Sequence, residues 1–412
     1  VRLLVLVPRV GSGLPGVLDH FAVLQEAADA LRRAGERGGA RVATVSRLDG
    51  AFGLRGFAGD ADLLPSALTG VAKTVPREWP GVSGRAVDVD PTILDGPDTL
   101  TQIAAAILAD GPVEIGVRAE GTIVLEERVA PYTDLPEAPT PIGEGDLVVI
   151  TGGGRGVTAE CAIALAGRTR ATFLLLGRSP WPEEEPDWQR ACTDELSLKR
   201  ALFDQGSGVS PREIGERVAR ILAARELRAT VDRIEERGGR ALYRSVDVRD
   251  AAGVRTILDE ARRVAGPVRA WIHGAGVIED RTIEEKTRES FTRVVETKVV
   301  SAETLCAAIA PDEARAIVFF SSSTARYGRK GQVDYAVANE VLNRIAERES
   351  RHRPHCRVAS LGFGPWNGGM VTPGLAQLFA SEGVGLIEIE DGARAVAREL
   401  AASPDGPTGI TL

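Results

Sequence analysis

Four residues in the second half of the chain are of types that could together support reduction of a ketone. Tyr335 follows Ser322 by 13 residues, Asn339 follows Tyr335 by four, and Lys298 lies upstream in a separate helical run. Residues four apart share one face of a helix, so Tyr335 and Asn339 are predicted to lie together. When a hydride reaches the carbonyl carbon of a ketone, negative charge grows on the oxygen, which must be stabilised and protonated. The tyrosine hydroxyl could do both, and the serine hydroxyl could donate a second hydrogen bond.

Lys298 is predicted to tune the acidity of Tyr335. The unperturbed pKa of a tyrosine is about 10, which makes proton exchange slow at neutral pH. A neighbouring ammonium favours the phenolate, so we expect Lys298 to lower the pKa of Tyr335. The other hydrogens of the ammonium could hold the ribose of a nicotinamide cofactor, and Asn339 could complete a relay through water or backbone groups. A lone Tyr, Lys or Ser is usually structural, and the combination is what favours catalysis.

A glycine-rich loop follows the apolar run 147–151 and precedes a predicted helix. It reads Thr151-Gly152-Gly153-Gly154-Arg155-Gly156-Val157-Thr158, the T-G-x-x-x-G-x-G pattern of short-chain dehydrogenases with Thr158 in place of the last glycine. Backbone amides at such a helix N-terminus can hold the diphosphate of a dinucleotide. The loop therefore predicts a dinucleotide site.

The next predicted strand ends at Arg178 and Ser179. An acidic residue there would bind the ribose hydroxyl of NAD, whereas a cation would bind the 2′-phosphate of NADP. Arg178, together with Arg155 from the loop, predicts NADPH as the cofactor. The predicted cofactor contacts in these segments and after a later strand are Gly152, Gly154, Arg155, Gly156, Val157, Arg178, Ser179, Gly274, Ala275 and Gly276.

Another glycine loop lies near the start of the chain, where Gly11-Ser12-Gly13-Leu14-Pro15-Gly16 matches G-x-G-x-x-G. Pro8 and Pro15 remove amide donors, and no acid or arginine follows the next predicted strand in a suitable position. We interpret this loop as a turn that holds no cofactor.

Alternation of short β-branched or Leu-rich runs with amphipathic stretches predicts an α/β protein with two doubly wound Rossmann-like subdomains. A truncated, structural and non-catalytic subdomain is predicted for residues 1–145, and a complete catalytic NADPH-binding subdomain for residues 146–412. The boundary is placed in residues 131–145, which carry four prolines. The predicted strands are 3–7, 41–45, 85–89, 147–151, 172–176, 241–246, 268–273, 315–321 and 357–361, with helices near 61–74 and 98–109 in the first subdomain.

A long connection, residues 180–240, is predicted as an insertion in the second subdomain. Its acidic start, PWPEEEP, is interpreted as a solvated tether. Further along, Ser210-Pro211-Arg212-Glu213 is a capping box with proline at the first helical position. This pattern predicts a long amphipathic helix that ends at Gly238-Gly239.

Composition excludes several functional classes. The net charge of −8 argues against a nucleic-acid or anionic-membrane partner, and no apolar run reaches the ~18 residues that a membrane span needs. The four cysteines lie far apart, which predicts neither a zinc site nor a disulfide framework and favours a reducing cytoplasm. His352, His355 and Cys356 are interpreted as part of a surface loop and not as a metal site, and His273 as a structural residue at a strand end.

Together these motifs resemble the ketoreductase domains of modular and iterative polyketide synthases and of polyunsaturated-fatty-acid synthases, within the short-chain dehydrogenase/reductase superfamily. In other short-chain dehydrogenases the lysine follows the tyrosine by four residues and the asparagine comes from the earlier helix. Here Lys298 is early and Asn339 late, which is similar to the exchange found in the megasynthase domains. Further similar segments are FFSSSTARYGRKGQVDYAVANEVLN, Gly364–Met370, VAKTVPREWP at 71–80 and Ala223–Leu227, so that the resemblance covers essentially the whole chain.

This resemblance implies a substrate, partners and further site residues. The substrate would be a β-ketoacyl thioester on the phosphopantetheine arm of an acyl carrier protein, reduced by NADPH to the β-hydroxyacyl thioester. Carrier protein and neighbouring synthase domains would be the partners. Asp247 and Val248 would contact the adenine, Pro365 would contact the cofactor, and residues after Met370 would form a lid over the acyl chain.

The same resemblance implies a stereochemical outcome. Ile278-Glu279-Asp280 occupies the place of a Leu-Asp-Asp motif that accompanies the B-type class, which gives the D-alcohol. Tyr327 stands where the opposite class usually has Trp. The residues assigned to substrate binding and stereocontrol are Asp280, Tyr327, Trp366 and Met370.

The chain starts at Val1 and has a single methionine, which predicts a ketoreductase excised from a multidomain synthase. Two alternatives from other functional classes are kept. One is a redox-silent structural or carrier-docking domain, which the presence of Ser322, Tyr335 and Lys298 disfavours. The other is a free-standing short-chain dehydrogenase that acts on soluble alcohols.

Overall fold

The computed structural model describes residues 2–93, 96–130, 140–205, 210–368, 371 and 373–412, which form two sheets with helices packed on them. The strands are β1 (Leu3–Leu6), β2 (Ala40–Ser46), β3 (Val82–Val89), β4 (Glu114–Arg118), β5 (Gly121–Val124), β6 (Leu147–Thr151), β7 (Thr172–Gly177), β8 (Arg240–Ser245), β9 (Val268–His273), β10 (Ala316–Ser322), β11 (Arg357–Phe363) and β12 (Gly409–Thr411). The helices are α1 (Gly13–Glu36), α2 (Thr69–Glu78), α3 (Pro97–Leu108), α4 (Gly156–Thr169), α5 (Asp187–Arg190), α6 (Glu195–Gln205), α7 (Pro211–Glu236), α8 (Ala251–Ala265), α9 (Arg288–Ala308), α10 (Ser323–Tyr327), α11 (Val333–His352), α12 (Pro373–Ser381) and α13 (Ile389–Ala401). None of the helices in the described ranges has the length and apolar character needed to cross a membrane.

The first sheet contains β1 to β5 side by side in chain order. Its first four strands are parallel, and β5 is antiparallel to β4. Helices cover both faces, since Leu24 of α1 packs in the large core and Ile107 of α3 packs with Val87 in a smaller one. Because each strand is added on the same side, the strand order never reverses, and the crevice that a reversal creates does not form.

At the N-terminus of α1, where an anion could bind, the backbone binds a carboxylate of the protein itself. The N–H of Gly13 donates a hydrogen bond to Oδ2 of Asp62 at 2.8 Å. A carboxylate at a helix N-terminus satisfies an amide that a diphosphate would need. Val10 and Gly11 form a turn, whereas Gly13 to Gly16, which were predicted as part of that turn, form the start of α1.

The second sheet has seven strands in the order β12-β11-β10-β9-β6-β7-β8, all of them parallel. Its strand order reverses at β6, which lies between β9 and β7. The carboxyl ends of β6 and β9 therefore open the crevice in which doubly wound folds bind their ligands. The candidate site residues follow the carboxyl ends of strands β6 to β11, so they lie along this edge of the sheet.

The largest core includes residues of both sheets. Phe21 of α1 contacts Phe291 of α9 with ring centroids 4.8 Å apart, and Trp79 after α2 is 1% exposed in the same core. Helix α2 packs against α11, which carries Tyr335. A helix of the first sheet thus directly supports the helix that carries Tyr335. The predicted subdomain boundary stays a prediction, because residues 131–139 lie outside the described residues.

The predicted long elements are present within a few residues of their expected bounds, and most differences lie in short elements. Strands β4 and β5 and helices α5, α6, α10 and α13 were not predicted. The helix expected near 61–74 begins later, with a 3₁₀ turn at Pro65–Leu68 that leads into α2. Proline favours the first turn of a helix, which sets the start there.

The insertion packs on the second sheet and is not a simple tether. The predicted capping box is present, since Ser210 N–H donates to Glu213 at 2.8 Å and Glu213 N–H donates to Ser210 Oγ at 3.3 Å. Arg225 of α7 binds both carboxylate oxygens of Glu185 at 2.9 Å, and its hydrogen bond lowers the pKa of Glu185. The interpretation of the acidic run as a solvated tether is therefore wrong for Glu185, because α7 offers it a bidentate partner.

Candidate active site

The glycine loop after β6 forms one end of the site. Gly152 has a φ of +72°, and a Cβ there would lie 3.0 Å from the carbonyl oxygen of Gly274. Only glycine fits both the backbone conformation and the space. The loop then leads into α4 at Gly156, so that the N-terminus of this helix lies on the cleft wall. These features fit a dinucleotide diphosphate.

Thr158 takes the place of the last glycine of the pattern without opening the packing. Its hydroxyl oxygen lies 2.4 Å from the position that a Cβ on Gly274 would occupy. The missing side chain of Gly274 thus makes room for Thr158, which is 5% exposed. In this contact the small residue is Gly274 and not residue 158, so α4 can still lie close to the end of β9.

A carboxylate that sequence reasoning missed lies on this loop. Oε1 of Glu226, in α7, accepts a hydrogen bond from the N–H of Gly156 at 2.8 Å. The next residue, Leu227, is buried and would touch a Cβ at Gly154. The only sequence signal was the position of Glu226 within the Ala223–Leu227 segment of the long helix. The insertion therefore contributes directly to the wall of the predicted cofactor site.

The side walls of this end carry the residues predicted to select the cofactor. Arg155, Arg178 and Ser179 line the cleft with Asp247 and Val248, and Arg178 is exposed toward solvent. In a further contact, Arg249 donates to both oxygens of Asp247 at 3.0 and 2.7 Å. This hydrogen bonding is the largest cause that lowers the pKa of Asp247, and the charge of Arg178 adds to it.

The candidate catalytic residues Lys298, Ser322 and Tyr335 line the other end of the same cleft, and Asn339 lies buried behind Tyr335. Nζ of Lys298 donates to the carbonyl of Phe320 at 2.7 Å and lies 5.3 Å from the ring centre of Tyr335. Nδ2 of Asn339 donates to the carbonyl of Tyr335 at 2.8 Å, which agrees with the predicted shared helix face. Ser322 Oγ accepts the N–H of Thr324 at 3.1 Å, and its own hydrogen stays available for donation.

Asn339 is completely buried, and its Oδ1 accepts no hydrogen bond from the described residues. A buried polar atom without a partner is costly, so it marks a place where a further polar group belongs. This observation fits the predicted relay from Tyr335 through Asn339.

The pKa shifts in the site differ from the prediction. Burial lowers the pKa of Lys298 to about 7, and burial raises the pKa of Tyr335 to about 12, with Asn339 opposing the rise and Asp280 adding to it. The prediction that Lys298 lowers the pKa of Tyr335 is wrong for this form of the protein. The physical reason is that burial disfavours the charge on both groups, and Lys298 is not among the groups that shift the pKa of Tyr335.

His273 is a structural residue under the site, as predicted. It is fully buried, with Nδ1 2.8 Å from Thr151 Oγ1 and Nε2 3.0 Å from the carbonyl of Lys298. Burial lowers its pKa to about 3, so the ring is neutral and its two nitrogens join β6 to α9.

The residues assigned to the substrate lie at different depths. Asp280 lies on the cleft wall and accepts a hydrogen bond from Gln332 Nε2 at 3.2 Å, and Tyr327 is 46% exposed at the rim. Trp366 is 7% exposed and packs against Phe363 with ring centroids 4.9 Å apart.

The remaining predicted contacts also lie on the cleft wall, with one exception. Pro365, Gly274, Ala275 and Gly276 line the cleft, and Met370 lies outside the described residues. Helix α12, predicted as a lid, borders the cleft through Leu375 and Leu378. Arg329 holds this helix, since its guanidinium lies 4.4 Å from the ring centre of Phe379 and 3.2 Å from Glu382.

One cleft connects the glycine loop, the ends of the strands around it, Tyr335 and α12, and it has a volume of about 2360 Å³. Sites for a single small molecule usually measure roughly 300–1,000 Å³. The cleft can therefore hold a dinucleotide at the glycine loop and a second ligand between Tyr335 and α12.

Comparison with known proteins agrees with this geometry. The KR domain family matches residues 147–368. One subunit of the polyunsaturated fatty acid synthase of Thraustochytrium sp. is 37% identical over 379 residues, which cover 87% of this chain and 13% of that protein. Erythronolide synthase EryA3 of Saccharopolyspora erythraea is 29% identical over 280 residues, which cover 61% of this chain and 8% of that protein. The chain thus spans a small part of the length of these relatives.

Solved structures share the whole fold. A ketoreductase domain from the bacillaene assembly line matches with a TM-score of 0.72 and 21% identity over 97% of this chain and 82% of that one. PlmKR1, a ketoreductase from the first module of phoslactomycin biosynthesis in Streptomyces sp. HK803, matches with a TM-score of 0.70 and 24% identity over 100% of this chain and 81% of that one. Because the family model matches more than half of the sequence, this chain belongs to the ketoreductase domain family of polyketide and polyunsaturated fatty acid synthases.

Proposed function

We propose that this domain reduces a β-ketoacyl thioester, held on the phosphopantetheine arm of an acyl carrier protein, to the β-hydroxyacyl thioester with NADPH. The observation that supports this most is the meeting of Tyr335, Lys298 and Ser322 at one end of a cleft whose other end is the glycine loop. When bound, the nicotinamide supplies the hydride. All other parts of the reaction fall to the residues of the chain.

Tyr335 gives its proton to the carbonyl oxygen. Its pKa of about 12 keeps the hydroxyl protonated at neutral pH, which is the form that reduction consumes. Ser322 donates a second hydrogen bond to the same oxygen and so stabilises the charge that grows there. Lys298, whose pKa of about 7 makes it ready to exchange protons, restores the proton through Asn339 and the polar groups beside it.

An assay of NADPH oxidation at 340 nm with a β-ketoacyl thioester tests this proposal. Tyr335→Phe removes the proton donor and keeps the ring, so turnover is expected to fall by several orders of magnitude while NADPH binding stays nearly intact. Retention of most of the activity would refute the role of Tyr335. The redox-silent alternative predicts no oxidation by the wild-type domain with either NADPH or NADH.

The relatives named above are synthases of many domains, which supports a carrier-bound substrate and neighbouring synthase domains as partners. The same assay with free and carrier-bound thioesters separates this from a free-standing dehydrogenase. We expect a higher kcat/KM for the carrier-bound form. Equal use of both forms would favour the free-standing alternative.

The preference for NADPH is supported by Arg155 and Arg178 on the cleft wall. Both are cations placed beside the strand end where a 2′-phosphate would lie. Arg178→Glu should therefore raise the KM for NADPH and lower the KM for NADH. An unchanged ratio of the two kcat/KM values would contradict the assigned contact.

B-type stereochemistry is supported by Asp280 on the cleft wall and by Tyr327 at its rim. Chiral chromatography of the product tests it directly. We expect the D-alcohol, and the L-alcohol as the main product would overturn this assignment.

A further inference from the structure

The segment that ends α2 lies at the rim of the cleft, although it belongs to the first sheet. Its consecutive residues Arg77, Glu78 and Trp79 are part of the VAKTVPREWP motif, which has no part in the reaction steps above. Nε of Arg77 donates to the carbonyl of Tyr327 at 3.0 Å. The indole N–H of Trp79 donates to Glu284 at 3.0 Å. Tyr327 ends α10, and Glu284 lies in the loop after β9, so both partners belong to connections of the second sheet.

Glu78 makes the central contacts of this segment. Its Oε2 accepts the N–H of Ile283 at 2.7 Å, and its Oε1 accepts the N–H of Gly331 at 2.9 Å. Hydrogen bonds from amides to a carboxylate are short and strong. One side chain of the first sheet thus joins two backbone segments that are far apart in the sequence.

The two joined segments carry the groups that border the substrate space. Gly331 lies four residues before Tyr335, and Arg281 follows Asp280 directly. The N–H of Arg281 donates to the carbonyl of Gly331 at 3.0 Å, and Gln332 donates to Asp280 at 3.2 Å. The position of Asp280 relative to Tyr335 therefore depends on how these loops are held together.

Burial disfavours the charge on Glu78, and the two hydrogen bonds from backbone amides counteract this effect. Desolvation raises the pKa of this carboxyl group above its ordinary value, and the amides of Ile283 and Gly331 oppose the rise. A glutamine at this position has one carbonyl oxygen and one NH₂ group, so it would place a donor against one of the two amides. The bridge thus requires a carboxylate.

We propose that Glu78 is a positioning residue through which the first sheet controls the facial selectivity of the reduction. It does so by fixing the loop of Asp280 against the loop that leads to Tyr335. Glu78 is not among the described residues that line the cleft, so it acts through these two loops. The inference rests on the proposed function, because facial selectivity is a property of that reaction.

The test compares Glu78→Gln with Glu284→Gln. Glu284 is a matched control, because it follows Ile283 directly and its replacement also removes a charge, but it binds Trp79 and Arg32 and neither loop amide. Each variant is given NADPH and a β-ketoacyl thioester, and the two alcohols are separated by chiral chromatography. We expect the minor alcohol to increase several-fold in Glu78→Gln only, with the Kd for NADPH unchanged. An unchanged alcohol ratio in Glu78→Gln, or the same change in both variants, would overturn the role in selectivity.

Hydrogen exchange measured by mass spectrometry tests the bridge without any need for activity. Peptides that contain Ile283 and Gly331 should exchange faster in Glu78→Gln and not in Glu284→Gln. Unchanged exchange would overturn the bridge itself. A wild-type domain that oxidises no NADPH would instead contradict the proposed function, while the exchange data would still decide on the bridge. If Glu78→Gln does not fold, Glu78→Asp, whose shorter side chain reaches one amide at a time, gives both readouts.

Discussion

At the scale of single residues, burial and the placement of carboxylates decide what each group can do. Tyr335 keeps its proton because desolvation raises its pKa to about 12. Lys298 titrates near neutral pH because desolvation lowers its pKa to about 7. Reduction needs a tyrosine that holds a proton and a neighbour that can replace it, so these shifts suit the direction of the reaction. The sequence correctly predicted which residues meet. It did not predict the direction of the pKa shift of Tyr335, because this direction depends on burial, which a sequence motif does not show.

Glu226 accepts the N–H of Gly156 at 2.8 Å, an amide that the diphosphate of the proposed cofactor would also need, so we expect the two to compete. Like charges about 4 Å apart in water repel by about 1 kcal/mol, which corresponds to about fivefold in Kd. Glu226→Gln should therefore bind NADPH about fivefold more tightly, as measured by isothermal titration calorimetry. Glu235→Gln removes an exposed charge from the same helix and is the control. Weaker binding by Glu226→Gln would mean that the carboxylate supports the loop and does not compete.

At the scale of elements, a buried ion pair holds the Asp280 loop against the start of α11. Nζ of Lys286 lies 2.9 Å from Oδ2 of Asp334, with side chains 0% and 1% exposed. Burial raises the pKa of Asp334 to about 6, and Lys286 opposes the rise. Asp334 also accepts the N–H of Tyr335 at 2.9 Å, so the pair is connected to the proposed proton donor.

Removing one partner of this pair should cost more than removing both. Lys286→Met leaves a buried carboxylate unpaired and should lower the free energy of unfolding at pH 7 by about 3–5 kcal/mol. Lys286→Met/Asp334→Asn removes both charges and should recover a large part of that loss, as measured by urea unfolding. At pH 5 the single variant should recover in part, because the unpaired carboxyl group takes up a proton in the folded state. Equal losses in the single and double variants would show that packing and not charge dominates.

Elements with strong periodicity or caps were predictable from the sequence, and the others depend on tertiary contacts. The parallel strands of the second sheet, the capping box at Ser210 and the loop at Gly152 follow from local patterns. Strand β5 is four residues long and is defined by its pairing with β4, so no local sequence pattern predicts it. The contact of Glu226 with Gly156 and the bridge made by Glu78 join residues distant in sequence, which a single sequence does not reveal.

At the scale of the whole molecule, a buried cluster of charges joins the two sheets. Nζ of Lys73, in α2, lies 2.8 Å from Glu114 of β4, forms an ion pair with Glu340 of α11, and donates to the carbonyl of Ala325 at 2.9 Å. Arg344 forms a second ion pair with Glu340. The first sheet thereby holds the helix that carries Tyr335 by charge as well as by the shared apolar core.

This cluster makes stability depend on pH in a defined direction. Burial acts to raise the pKa of Glu340, but Lys73 and Arg344 outweigh it and lower the pKa to about 2, from an ordinary value of 4.5. A carboxylate with a lowered pKa in the folded state adds stability that is present above pH 4.5 and is lost as the pH falls toward 2. The contribution of Glu340 is therefore complete at neutral pH.

Lys73→Met should lower the free energy of unfolding by about 3–5 kcal/mol at pH 7, because two buried carboxylates lose their shared partner. The difference from the wild type should narrow as the pH falls below about 4.5, since the wild type loses the contribution of Glu340 while the two carboxyl groups of the variant, which have one cation fewer beside them, become protonated. Urea unfolding at a series of pH values measures both effects. Lys199→Met, which removes a surface lysine paired with Glu195, should stay within about 0.5 kcal/mol of the wild type throughout. A constant difference between Lys73→Met and the wild type at all pH values would show that Lys73 stabilises the contact between the sheets by packing of its side chain, and not by its charge.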